Sequence, residues 1–409
     1  MKTLVFAPET INIAETTRMV EIAKAVRERF HCIFFGYSDK FSHLITEAGF
    51  EFKRMEPWLT DAKIEHLWKV DRGESFADPF TVEELKRRVD GESRLFLDLK
   101  PAAVVMGFTL SVTLSARKAG VPLVYVMPFP LTRPFLEAGL AEWPDMFDYA
   151  FLRIIPKSTR NRWINDWFKS TKLWIRPFEK LSKEYGIKPI QKLVDIYEGD
   201  YNLVTDIPDL TGVKDLPQNW QYVGPIFAHL SGDVPQEILN LPKDKPLVYC
   251  AMGSSANRAI LRTVLESFDS APYTVIAPMK AHFEKEKLHV PSNVLLYDWL
   301  PADKVNPLAD VAVIHGGQGT VQTACASGTP FVGIGLQPEQ EANIDMIVRQ
   351  GNAIRLSKRY FNREKIIESI EFLLKDENAR QRAKEIQALS QKWDGIQNSA
   401  EFLIRTFGK

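Results

Sequence analysis

Short apolar runs separated by amphipathic stretches set the rhythm of the N-terminal half of the chain. "TLVFA" (3–7) is apolar almost without interruption, the pattern of a strand covered on both faces. Met19, Ile22, Ala23 and Val26 then recur at three- and four-residue spacing, which predicts a helix, and "CIFFG" (32–36) reads as the next strand. The unit repeats as "PAAVVMGF" (101–108), a helix over about 110–119 and "VPLVYV" (121–126). Strands alternating with helices predict parallel βαβ units with helices on both faces of a sheet.

Residues 151–185 break this rhythm, which resumes at "YNLVT" (201–205). The stretch 223–246 turns rich in Gly, Pro and Asp and reads as a linker. A second series follows, "LVYCA", "YTVIA", "NVLLY", "VAVI" and "FVGI", each trailed by a helix or turn, and the tail 376–409 is helical. The predicted architecture is α/β, two doubly wound Rossmann-like domains facing across a cleft. The domain boundaries are 1–225 for an N-terminal domain, 226–245 for the linker and 246–385 for a C-terminal domain. A C-terminal helix, 386–409, is expected to pack back towards the N-terminal domain. Open α/β sheets bind ligands beyond the carboxyl ends of their strands, so chemistry is expected in loops 8–15, 252–256, 298–302 and 315–320.

With 409 residues, 45% of them hydrophobic and 25% charged, the chain can bury two ordinary cores. A formal net charge of zero gives no global field to recruit nucleic acid. Cys32, Cys250 and Cys325 lie far apart without zinc or CxxC spacing, as expected of buried thiols in a reducing compartment. The N-terminal apolar run is too short for a signal peptide, and no run approaches a membrane span, so a cytoplasmic location is expected.

"VIHGGQGTVQTACASGTP" (313–330) concentrates the chemistry. After an apolar strand, Gly316, Gly317 and Gly319 allow a tight turn and leave backbone N–H groups uncovered where a helix begins. That combination suits an anion, usually phosphate, although a tight strand-to-helix connection would look the same. It is neither a Walker P-loop, lacking the Lys-Ser/Thr pair, nor G-x-G-x-x-G, because Gln322 holds the third glycine position. Nearby lie "GTP" (328–330), "LQPEQEAN" (336–343), "YDWLP" (297–301) and "AMGSS" (251–255).

The order W-x-P, HGGxGT, G-x-P and E-Q-x-x-N resembles the nucleoside-diphosphate-sugar glycosyltransferases of the GT-B fold, above all bacterial natural-product (macrolide-type) enzymes and plant UDP-sugar enzymes. The resemblance covers about 246–355 by motif and the first domain by layout only. It implies that Trp299 stacks on the nucleobase and that His315 hydrogen-bonds the diphosphate. It further implies that N–H groups at Gly317, Gly319 and Thr320 hold phosphate oxygens within the turn opened by Gly316. Gly253 and Ser254 would reach the diphosphate from the opposite wall, and Glu339 and Gln340 would bind sugar hydroxyls. For Trp299 the alternative is core burial, and for Glu339 a favourable charge in a first helical turn.

Two departures stand out. Family members carry a ribose-binding Glu where this chain has Thr323, beside Gln322. They also carry a His general base at the start of the first helix, oriented by an Asp after a later strand; here Glu15 takes the His position and Gly107 or a neighbour the Asp position. Glu15 is thus a candidate base. "NIAE" equally reads as a capping box, with Asn12 as cap and Glu15 bonding back to the backbone. Glu9 is a lesser candidate.

Residues 151–185 hold nine Lys or Arg, three Asp or Glu, and Trp163, Trp167 and Trp174. They read as a lining of the acceptor pocket or as an interfacial helix in peripheral membrane contact, consistent with a small-molecule or lipid acceptor. No nucleic-acid motif accompanies them. The expected activity is sugar transfer from a UDP- or dTDP-sugar to an acceptor hydroxyl, inverting and without a cofactor or metal, since no D-x-D occurs. A nucleotide-sugar epimerase of the same fold, or a catalytically silent nucleotide-sugar-binding partner, are the alternatives.

Overall fold

The computed structural model describes residues 1–228, 232–253, 258–283 and 289–409. The chain forms two compact units. The first comprises 1–141, 155–228 and 393–409, and the second 142–154 and 229–392.

The first unit is built on seven parallel strands: β1 (Lys2–Ala7), β2 (Phe30–Gly36), β3 (Glu51–Arg54), β4 (Ala103–Met106), β5 (Leu123–Met127), β6 (Tyr201–Val204) and β7 (Trp220–Tyr222). Their order is β3-β2-β1-β4-β5-β6-β7. β1 lies against β2 through Leu4–Cys32 and Phe6–Phe34 and against β4 through Ala7–Met106. The order reverses between β1 and β4, so the loops after these two strands flank a crevice at their carboxyl ends. The core is the run predicted from periodicity: Met19, Ile22, Ala23 and Val26 of the helix Ile13–Val26 pack with Leu4, Phe6 and Phe34.

The second unit has six parallel strands: β8 (Leu247–Ala251), β9 (Thr274–Pro278), β10 (Val294–Tyr297), β11 (Val311–Ile314), β12 (Phe331–Gly333) and β13 (Ala353–Arg355). Their order is β10-β9-β8-β11-β12-β13, with its own reversal between β8 and β11. The loop after β8 holds Gly253, and the glycine turn follows β11 directly. Both units therefore have the doubly wound architecture expected.

The chain path crosses between the units more often than the strand pattern suggests. Residues 142–154 belong to the second unit, and the tail divides. The helix Glu377–Ser390 lies in the second unit, whereas Gly395–Phe407 returns to the first and puts Ala400, Phe402, Leu403 and Phe407 into its core. Within 151–185, Ile175, Phe178 and Leu181 are fully buried with Leu85 and Leu114, and Trp174 packs beside them. Trp163, on the helix Lys157–Ser170, is half exposed. Among the described residues no helix is long and apolar enough to cross a membrane.

Candidate active site

The glycine turn of the second unit is shaped around one imidazole. His315 follows β11, is 8% exposed, and points its Nδ1 at the Ala251 carbonyl oxygen, 3.3 Å away at the end of β8. A Cβ built on Gly253 would come within 2.5 Å of His315 Nε2, and one built on Gly317 within the same distance. Any larger residue at either position would collide with the ring. Gly253 (φ 71) and Gly316 (φ 83) also adopt the left-handed backbone that glycine tolerates best. At Gly316 a Cβ would in addition strike Ile344 and the Gln340 carbonyl. Burial pushes the His315 pKa down to about 4, opposed by the bond to Ala251, so the ring is neutral near pH 7.

The helix Gln318–Ser327 starts from this turn, with Gly317 as its N-cap residue. The Thr320 N–H, expected to face an anion, donates instead to the Gly317 carbonyl (3.0 Å), as does that of Val321 (3.1 Å). No hydrogen bond engages the N–H groups of Gly317 and Gly319 among the described residues, and a Cβ at Gly319 would meet open space. These two groups, at the positive end of the helix, are the ones available to an anion. Thr323 donates its hydroxyl to the Gly319 carbonyl (2.7 Å), which leaves its oxygen lone pairs to accept.

The helix Pro338–Val348 braces the turn from behind. Asn343 divides its amide between the Gly316 carbonyl (3.0 Å) and Glu339 Oε1 (2.5 Å). Asn343 thus ties the expected sugar-binding carboxylate to the glycine turn. The i, i+4 spacing of Asn343 from Glu339 is the sequence signal of this contact. Gln340 is buried, its Oε1 accepting the Leu336 N–H (3.0 Å) and its Nε2 donating to Gln337 (2.7 Å). The Gln340 amide closes its own turn. Trp299, after β10, is 45% exposed, so it is not a core residue; its ring edge lies against Gly232, where a Cβ would come within 2.6 Å. Ser254 lies outside the described residues.

In the first unit, the loop after β1 and the start of the helix Ile13–Val26 hold two buried carboxyls. Asn12 caps the helix, its Oδ1 accepting from the N–H groups of Ala14 and Glu15, but Glu15 does not bond back. Glu15 is 7% exposed, and its Oε1 accepts from Arg18 Nη1 at 2.8 Å. Among the described residues Glu15 Oε2 has no hydrogen-bond partner, and it occupies the space that a side chain at position 107 would fill. Burial raises the Glu15 pKa above the ordinary carboxylate value while Arg18 holds it down. Glu9 lies 3.6 Å from Arg88, which is 1% exposed and stacked on the Tyr37 ring at 3.7 Å. Burial likewise raises the Glu9 pKa, opposed by Arg88 and reinforced by Glu15. Arg88 had no sequence signal, since an Arg in the basic run 86–88 of a charged helix reads as surface.

Residues 262–392 match the family model of the erythromycin biosynthesis protein CIII-like C-terminal domain. A PGL/p-HBAD biosynthesis glycosyltransferase of Mycobacterium tuberculosis is 26% identical over 415 residues, covering 98% of this chain and 92% of the relative. The solved structure of a spinosyn forosaminyltransferase superposes with a TM-score of 0.71 at 15% identity, covering 100% of both chains. The chain has the fold of the GT-B glycosyltransferases. A further neighbour, a Streptomyces glycosyltransferase complexed with thymidine diphosphate, superposes with a TM-score of 0.65 at 14% identity, covering 98% of this chain and 99% of the other.

Proposed function

We propose that the protein moves a sugar from a UDP- or dTDP-sugar to the hydroxyl of a small-molecule or lipid acceptor, with inversion at the anomeric carbon and without a metal ion. The observation that carries this reading is the turn itself. An imidazole flanked by two glycines, two unengaged N–H groups and a helix N-terminus form a preorganised cradle for a leaving diphosphate. A half-exposed Trp299 suits a nucleobase face, and Glu339, held by Asn343, suits sugar hydroxyls. Thr323 in place of a carboxylate leaves the choice between UDP and dTDP open to hydroxyl chemistry at the ribose.

Glu15 serves as the base. Its Oε1 is anchored to Arg18, its Oε2 is unpartnered among the described residues, and burial makes it a stronger base than an exposed carboxylate. The acceptor O–H proton passes to Oε2, the acceptor oxygen bonds to the anomeric carbon, and the bond to the diphosphate breaks with its electron pair leaving on phosphate.

The test incubates purified protein with UDP- and dTDP-sugars, with and without hydroxylated acceptors or lipid, and follows nucleotide release. Acceptor-dependent release supports transfer. A changed sugar without release would indicate an epimerase, and binding without turnover a silent partner. Glu15→Gln should lose transfer while keeping nucleotide affinity and Tm; full activity in that variant would leave Glu15 a helix-start residue only.

A further inference from the structure

His315 offers an anion the wrong polarity. A backbone carbonyl only accepts, so the contact with Ala251 fixes the ring proton on Nδ1. In the neutral ring Nε2 then carries a lone pair and no hydrogen, and Nε2 is the atom nearest a side chain built at Gly253 or Gly317. The imidazole would thus meet phosphate oxygens with a lone pair.

The strands and the helix that form the turn supply no charge that would correct this. β8, β11, β12 and the helix Gln318–Ser327 contain no Asp, Glu, Lys or Arg. The helix Pro338–Val348 carries Glu339, Glu341 and Asp345; Glu339 is bonded to Asn343, and the other two are paired with Arg355. Arg258 opens the helix Arg258–Glu266. Burial sets the titration of the ring, holding its pKa at about 4, and the positive end of the helix Gln318–Ser327 acts in the same direction while the site is empty. A bound diphosphate reverses the balance. Its negative charge favours a proton on Nε2, where lone-pair repulsion becomes a charge-assisted hydrogen bond.

We propose that nucleoside diphosphate binding draws one proton from solvent onto His315 Nε2, so that an imidazolium, and not an imidazole, holds the leaving diphosphate. This rests on the donor reading above and says in which protonation state the donor site works.

UDP and dTDP, each titrated calorimetrically into the full chain at about pH 8 in buffers of different ionisation enthalpy, provide the test, since the terminal phosphate (pKa about 6) is then ionised. The expected result is uptake of about 0.5–1 proton per nucleotide, with Kd weakening by up to about tenfold per pH unit above pH 7.5. In ¹⁵N spectra the His315 ring should change from the Nδ1–H tautomer to the doubly protonated form on adding nucleotide. His315→Gln should abolish the uptake; where that variant does not fold, the spectra decide alone. Binding with no uptake, a pH-independent Kd and an unchanged ring would overturn the proposal while leaving the donor site standing. If neither nucleotide binds, the donor reading falls and the proposal with it.

Discussion

At Gly107 the backbone leaves room for another residue's carboxylate. Its φ lies outside the left-handed region, so alanine suits the backbone, yet the new Cβ would coincide with Glu15 Oε2. Gly107→Ala should therefore displace Glu15, lowering stability by about 1–3 kcal/mol as overpacking does and cutting transfer at least about a hundredfold. Adding Glu15→Ala should restore most of the stability and none of the activity. Denaturant unfolding and turnover of the two variants measure this, and a Gly107→Ala enzyme at wild-type rate would remove Glu15 from the mechanism. The sequence made this pair visible as a double departure from a family pattern. It could not show that the two departures answer each other in space, because a glycine carries no trace of what fills its void. It also made half of "NIAE" legible: the Asn12 cap forms, but the nearby Arg18 draws the Glu15 carboxylate away from the backbone.

The glycines of one turn serve different ends, and substitution should separate them. Gly319 has open space over its Cα and sits inside the helix Gln318–Ser327. Gly319→Ala should stabilise the protein by about 0.5–1 kcal/mol through helix propensity, and raise Tm by a few degrees at most. The same methyl would stand beside an N–H group proposed to hold phosphate, so nucleotide affinity should fall about tenfold or more. Gly317→Ala, with its Cβ against His315 Nε2, should lose stability and affinity together. Calorimetry on the two variants checks the contrast, and equal behaviour would mean the turn is only a connection. At this scale the central strands were readable because burial on both faces leaves an unbroken apolar run. The edge strands β3 (EFKR), β7 (WQY) and β13 (AIR) are short and partly polar, so no run announced them.

Chain path is where periodicity says least, because it reports which face is buried and not against what. The returning helix Gly395–Phe407 gives Leu403 to the first unit's core at 0% exposure. Leu403→Ala should cost that unit about 2–5 kcal/mol in the full chain and leave nucleotide Kd unchanged, as the donor residues lie in the other unit. The excursion 142–154 is anchored within the second unit by Asp145. Its N–H donates to Glu341 (2.8 Å), and its carboxylate takes Arg355 (3.1 Å) and the Lys358 N–H (2.8 Å). Burial, reinforced by Asp145 and opposed by Arg355 and Lys358, raises the Glu341 pKa to about 7. A carboxyl whose pKa is raised on folding favours the folded state while protonated, and that contribution is lost as pH climbs from the unfolded value of 4.5 through 7. Glu341→Gln keeps the protonated shape at every pH. Its stability should match wild type near about pH 5 and exceed it by about 1–3 kcal/mol near about pH 8. Urea melts at the two pH values decide the matter. A Gln variant less stable than wild type at the higher pH would mean that Arg355 and Lys358 hold Glu341 ionised, and that the pairing around Asp145 gains from the charge it gathers.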